Sequence, residues 1–327
     1  MIEYILKNSI SGVICMVFIL CLLWYPDFAG YNETRLSLWI PCTGAYYIGS
    51  QFDSDWYKVL TIGMAAINGF ALLGLSIRHL SLGRANRVLP FFYLFVIFSY
   101  PQTHAFSFAH PAALCVLLGL YAIFRSGEEK SPMAPLFISS FLCGCACLLF
   151  LPSLPALVSF VAIAFVLNLL NGRNLLVLLG GGFTILGGCL FCRYLFYNDL
   201  SVFLYIISDG FKQLYFQIAP PTPATLFLTL VFLYLLGKAL LRWLHCAYGN
   251  QSYKYKVLAS FMWMFVICGL PLFIYVDKAY SYLPILAIPA SVLLSFYFSE
   301  QRITKRMKIE FIVLLLAATL NQIAYLL

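Results

Sequence analysis

The feature that most constrains this chain is a succession of apolar runs with nearly every charge confined to the segments between them. A membrane-spanning helix needs about 20 mostly apolar residues. Inside lipid the backbone must satisfy its own polar groups, so such runs fold as helices. The runs fall at residues 9–28, 58–77, 88–103, 109–124, 133–150, 153–170, 175–197, 224–241, 257–275, 280–298 and 309–326. The expected fold is all-α: a polytopic membrane protein of 11 transmembrane helices, with residues 1–327 forming one integral domain. The third to fifth runs are short, which suits tilted or re-entrant helices. Composition excludes the alternatives. Only 10% of the residues are charged and 63% are hydrophobic, whereas a soluble domain carries about 25% charged residues. A soluble enzyme, a disordered chain and a disulfide-rich secreted scaffold are all ruled out.

The distribution of basic residues sets the expected orientation. With the N-terminus in the cytoplasm, 15 of the 20 Lys and Arg fall on inner segments, leaving Arg35, Lys58, Arg193, Lys212 and Lys278 outside. That bias obeys the positive-inside rule and puts the C-terminus outside. It also accounts for the net charge of +8 without a nucleic-acid partner. All six Asp (Asp27, Asp53, Asp55, Asp199, Asp209, Asp277) and Glu33 then lie outside. The first apolar run reads as an uncleaved anchor, not a signal peptide. The expected location is a bacterial inner membrane, with membrane lipids as the first partners.

Few motifs carry chemistry. No Walker loop, Gly-x-Gly-x-x-Gly or His-Glu-x-x-His is present, and nothing in the pattern indicates a metal or other cofactor. Cys143, Cys145 and Cys147 look like a metal motif. On a helix, however, residues two apart point about 200° apart, so their thiols diverge. Gly180, Gly181, Gly182, Gly187 and Gly188 in the seventh run suit close helix packing. Rows of intramembrane charge, which mark pumps and proton-coupled transporters, are missing. Asn68, Asn168 and Asn321 are the chief polar residues near span interiors or ends.

Two outer loops are longer than a connection requires: residues 29–57 and 198–223. The first is expected to hold an interfacial helix from Glu33 to Ile40, stopped by Pro41. The second carries apolar positions that suit a helix lying in the interface. Asp27, Asp53 and Asp55 are candidate catalytic acids, since an outer active site needs a carboxylate to accept a hydroxyl proton or hold a metal. Glu33, Arg193 and Lys212 are candidate substrate-binding residues, the cations being placed to meet a phosphate. His104 and His110 flank the tight turn between the third and fourth runs and are candidate substrate contacts. The plain reading stands beside each: solvated loop acids, an Arg193 that snorkels to headgroups, and histidines that finish helix ends. His79 and His245 read as cytoplasmic surface groups.

The stretch from Arg84 to Arg193 resembles a family of uncharacterised bacterial inner-membrane proteins. The resemblance rests on Asn86-Arg87 before LPFFYLFVIFSYP, on HPAALCVLLGLYAIFRS, on LFLPSLPAL and on NGRNLLVLLGGGF. The layout is also similar to the C-type lipid-sugar-dependent glycosyltransferases: inner N-terminus, acidic first outer loop, short helix hairpins, and a later outer loop after the seventh span. That similarity implies a glycosyltransferase-C-like core acting on a polyprenyl-phosphate sugar at the outer face. Asp27 would be the base, and Arg193 would hold the donor phosphate. Where such enzymes often carry an acidic pair soon after the first span, this chain has Asp27 and then Glu33. Two other readings remain. One is a non-catalytic subunit of a larger membrane assembly for protein export or envelope biogenesis, with protein subunits as partners. The other is a transporter or lipid flippase.

Overall fold

The computed structural model describes residues 10–28, 54–80, 85–104, 106–129, 131–197, 222–247, 253–274, 279–298 and 304–326. They form eleven α-helices: α1 (Ile10–Phe28), α2 (Ser54–Leu75), α3 (Ala85–Phe98), α4 (Ala109–Ser126), α5 (Met133–Leu149), α6 (Leu154–Val166), α7 (Gly172–Tyr197), α8 (Pro223–Ala247), α9 (Tyr253–Ile274), α10 (Ala279–Phe298) and α11 (Lys305–Leu326). Every apolar run of the sequence is thus a helix. Six helices are long and apolar enough to cross a membrane, and five apolar helices are shorter. Both loops singled out above lie outside the described residues except at their margins, and so do their interfacial helices.

The bundle has an inner and an outer layer. Helices α3 and α10 are buried along nearly their whole length from Val88 and Tyr282 onward. Helix α10 packs against α3, α4, α8 and α9. Both are apolar on all sides, as befits helices sheathed by others. Phe92 stacks on Phe298 with ring centroids 5.4 Å apart, and Phe311 meets both edge-on at 6.4 and 5.8 Å. This aromatic knot joins α3, α10 and α11, and each such pair adds about 0.5–1.5 kcal/mol beyond its buried area. The outer layer turns apolar side chains outward. On α11 the residues Ile309, Ile312, Leu316, Leu320 and Ile323 form one exposed stripe. Met307, Glu310, Phe311, Leu314, Ala317, Ala318, Asn321 and Gln322 form the buried one.

Helix ends depart from the apolar runs for local reasons. The third run ends as α-helix at Phe98 because Pro101 follows, and Tyr100 before it is extended (φ −114°, ψ 108°), as a residue preceding proline prefers. The sixth ends at Val166, where Asn168 adopts a left-handed φ of 58°. That turn lets the Leu169 N–H donate to Ala164 O at 2.9 Å, a helix stop that asparagine tolerates. Helix α8 runs past its apolar stretch through Arg242 to Ala247, so the chain leaves the apolar zone without breaking the helix.

Close packing of α5 depends on two glycines. A Cβ at Gly181 would lie 2.1 Å from Ser140 Oγ and 2.6 Å from Phe137 O, and one at Gly119 would lie 2.9 Å from Ser139 O. Helix α5 is therefore held between α4 and α7 at a spacing only glycine allows, as small residues do in membrane bundles. A Cβ at Gly187 or Gly188 would meet nothing within 4 Å, so the packing role belongs to part of the glycine series. Overpacking costs about 1–3 kcal/mol. Gly181→Val and Gly119→Val are expected to lower the thermal midpoint of the detergent-purified protein, and Gly187→Ala to leave it unchanged. Size-exclusion after graded heating would measure this.

Candidate functional site: the buried turn between α3 and α4

The segment from Ser99 to His110 is a turn whose residues are buried at Ser99, Tyr100, Pro101, Thr103, His104, Ala109 and His110. Non-helical backbone inside a membrane bundle is tolerated only where protein or a water-filled cavity surrounds it. Here protein supplies the partners. The Phe98 carbonyl accepts from His104 Nε2 at 3.1 Å and from Gln322 Nε2 at 2.7 Å. The Ser99 carbonyl accepts from Asn321 Nδ2 at 2.9 Å, and Asn321 Oδ1 accepts from Thr225 Oγ1 at 2.7 Å. Ser99 Oγ donates to Phe95 O at 2.5 Å. Thr103 Oγ1 lies 2.5 Å from Ile97 O and 2.7 Å from Tyr100 O. Phe95 O, Ile97 O and Tyr100 O also accept main-chain N–H groups; the Phe98 and Ser99 carbonyls, left over at the helix C-terminus, are taken by side chains of the turn and of α11.

The two histidines do different work. His104 is a helix-end group: besides its bond to Phe98 O, its ring lies 4.1 Å from that of Trp24 on α1. His110, second residue of α4, is fully buried. Its main-chain carbonyl accepts from Asn68 Nδ2 at 3.0 Å. Its ring is parallel to Phe106 at 6.5 Å and turned toward the Thr103 backbone, yet neither ring nitrogen closes a hydrogen bond of normal geometry. Asn68 Oδ1 and Gln322 Oε1 are likewise buried without a partner. Buried polar atoms normally pair, so the two ring nitrogens of His110 are an exception within the turn.

The helix directions assign the other candidates to the same end. Asp27 lies in the last turn of α1, three residues after Trp24, hence about 4.5 Å further along the axis. Asp55 is in the first turn of α2, thirteen residues before Asn68, which sets it about 20 Å further out than the His110 level. Arg193 is near the end of α7, which runs parallel to α5 by the Gly181–Ser140 and Gly144–Gly182 approaches. The side chains of Asp27, Asp55 and Arg193 lie outside the described residues, as do Glu33, Asp53 and Lys212 altogether. The structure therefore brings His104, His110 and the α1 end together, and separates Asp55 from them along α2. Trp24, Thr225 and Gln322 carry no sequence signal that points to this site, and Asn321 stands out in the sequence only as a polar residue in a span.

The opposite end of the bundle carries a set of paired charged groups. Glu310 Oε1 is bonded by Lys238 and lies 3.3 Å from Arg306 Nε, while Glu310 Oε2 accepts from Tyr297 OH at 2.6 Å. Arg125 pairs with Glu129 at 2.6 Å, and Arg78 bonds Tyr121 OH. His79 corrects the sequence reading. It is buried, not a surface group, because a π-helical turn, Ser76–Leu80, directs it inward to Glu128 at 2.9 Å and to the rings of Tyr121 and Phe124. His245 is exposed, as expected. Cys143 and Cys147 are buried one turn apart and Cys145 is half-buried. No group of three or more metal-ligating side chains occurs among the described residues.

The chain belongs to the family described as a family of unknown function (DUF6427), matched over residues 47–325. That match contains His104, His110, Asp53, Asp55, Arg193 and Lys212, and begins after Asp27 and Glu33. No curated protein and no solved structure matches the chain.

Removing Asn321 leaves Ser99 O without its donor and Thr225 Oγ1 without its acceptor. Such a loss costs about 1–3 kcal/mol. Asn321→Leu is therefore expected to lower the thermal midpoint more than the surface change Leu320→Ala. Equal midpoints for the two variants would show that Asn321 does not tie the turn.

Proposed function

We propose that this protein acts at the histidine end of its bundle, on the outer face of a bacterial inner membrane, with its N-terminus inside. The reaction that fits is transfer of a sugar from a polyprenyl-phosphate donor, in the manner of C-type glycosyltransferases. One observation supports this most: the last turn of α1, with Asp27, lies against the buried α3–α4 turn through Trp24 and His104. An acid-bearing helix end and a polar turn thus share one end of the bundle.

In this reading the acceptor hydroxyl gives its proton to the Asp27 carboxylate while its oxygen attacks the anomeric carbon. The bond from that carbon to the phosphate oxygen breaks, and the lipid phosphate leaves with the electron pair. Arg193 offsets the charge on the departing phosphate. Glu33 and Lys212 frame the acceptor, and His110 offers a polar contact below them.

Loss of a general base costs about 10²–10⁴-fold in turnover. Asp27→Asn is expected to lose turnover of a polyprenyl-phosphate-linked sugar by that factor at an unchanged thermal midpoint. Wild-type turnover in the variant would remove Asp27 from the mechanism.

A second reading is a non-catalytic subunit of an envelope or export assembly. Its support is the sequence, which carries no recognised catalytic motif and is rich in aromatic residues at the helix ends. Native mass spectrometry from the source membrane separates the two: stoichiometric partner subunits without a bound polyprenyl phosphate would support the subunit, and the bound lipid alone the transferase.

A further inference from the structure

Helix α5 carries Cys143, Cys145 and Cys147, and its geometry sorts them. Residues two apart point about 200° apart, whereas residues four apart return to within about 40°. Cys143 and Cys147 therefore share one face, and both are buried, while Cys145 points elsewhere and is half-buried. The thiols of Cys143 and Cys147 are close enough to interact directly. Cys268 of α9, also buried, is a more distant neighbour of Cys143. Among the described residues, no third metal-ligating side chain completes the pair.

Two hydroxyls stand beside these sulfurs. Ser153, in the turn between α5 and α6, faces Cys147. Tyr282 of α10 faces Cys268 and lies within electrostatic reach of Cys143 and Cys147. Ser153 is 0% and Tyr282 3% exposed, yet neither hydroxyl closes a hydrogen bond of normal geometry. A neutral thiol is a weak acceptor, whereas ionised sulfur would engage such donors strongly. Pro152, next to Ser153, is exposed, so the pair lies just inside the bundle surface.

The ligand set narrows the occupant. Zinc takes four ligands in structural sites and three protein ligands in catalytic ones. Calcium and magnesium take oxygen. Soft thiolates select Cu(I), a d¹⁰ ion that two sulfurs in line can satisfy. Residues four apart on one helix face already serve as paired metal ligands in the His-Glu-x-x-His helix of metalloproteases.

We infer that Cys143 and Cys147 form a two-coordinate Cu(I) site inside the bundle, with the hydroxyls of Ser153 and Tyr282 turned toward the charged sulfurs. On binding, each thiol releases its proton to water and forms one S–Cu bond. The metal enters as Cu(I), so nothing is oxidised or reduced. This site is independent of the transferase reading.

The test is competition for Cu(I) between the full chain in detergent and bicinchoninate, a coloured Cu(I) chelator, without oxygen and with ascorbate present. The protein is expected to withhold one equivalent of copper. Cys143→Ala and Cys147→Ala are each expected to lose it, and Cys145→Ala to keep it. Ser153→Ala is expected to weaken binding about 10–100-fold, the usual weight of a group that supports a metal ligand. X-ray absorption of the loaded wild-type protein should show two sulfurs around copper, a readout that needs no variant to fold. Copper retained by the Cys143→Ala,Cys147→Ala double variant, equal loss in Cys145→Ala, or three or more sulfurs around the metal would each overturn the site. Equal retention of Zn(II) offered alone would overturn the assignment to Cu(I).

Discussion

Two main-chain carbonyls at the end of α3, those of Phe98 and Ser99, govern how this bundle is built. Pro101 prevents the helix from continuing, and the surrounding helices keep water away. A buried carbonyl without a donor is costly, so donors must come from the protein. Main-chain N–H groups, with the hydroxyls of Ser99 and Thr103, serve Phe95 O, Ile97 O and Tyr100 O. His104 reaches back from the turn, and Asn321 and Gln322 reach in from the last helix.

That demand fixes α11. Asn321 and Glu310 are eleven residues apart, about three helical turns, and therefore share one face. Between them lie Phe311, Leu314, Ala317 and Ala318, all buried. One stripe of α11 thus carries a polar anchor at each end and apolar packing in its middle. At one end it finishes the α3–α4 turn. At the other, Glu310 ties α11 to α8 and α10 through Lys238 and Tyr297. The opposite stripe is apolar and outward, as a lipid-facing surface requires. Most of the described Ser and Thr hydroxyls bond a carbonyl three or four residues back in their own helix, while Asn68, Asn321, Gln322 and Glu310 join segments distant in sequence.

The helices were legible because each apolar run declares itself through length and the exclusion of charge. The glycine packing of α5 on α7 was legible too, since small residues in a membrane helix have few other uses. The buried turn was only partly legible. Its short flanking runs and paired histidines were visible, but nothing local distinguishes His104, which caps a helix, from His110, whose ring nitrogens are left over. That difference arises from Trp24, Asn68 and Gln322, which lie 42 to 224 residues away in pairings no periodicity encodes. His79 was misread for a related reason: a basic neighbourhood in sequence suggested the surface, and a π-helical turn rotated the ring inward onto Glu128. The acids ranked first by sequence lie at or beyond the edge of the described residues, so their chemistry rests on the layout of the helices.

Burial of the turn can be measured directly. Hydrogen exchange followed by mass spectrometry on the protein in lipid nanodiscs would report peptides covering residues 99–110. A turn tied to α11 and sheathed by α10 should exchange as slowly as the interior of α10 itself. Exchange as fast as that of an exposed loop would show that the turn lies open to water, and the account of the α3 carbonyls as the element organising the bundle would fail.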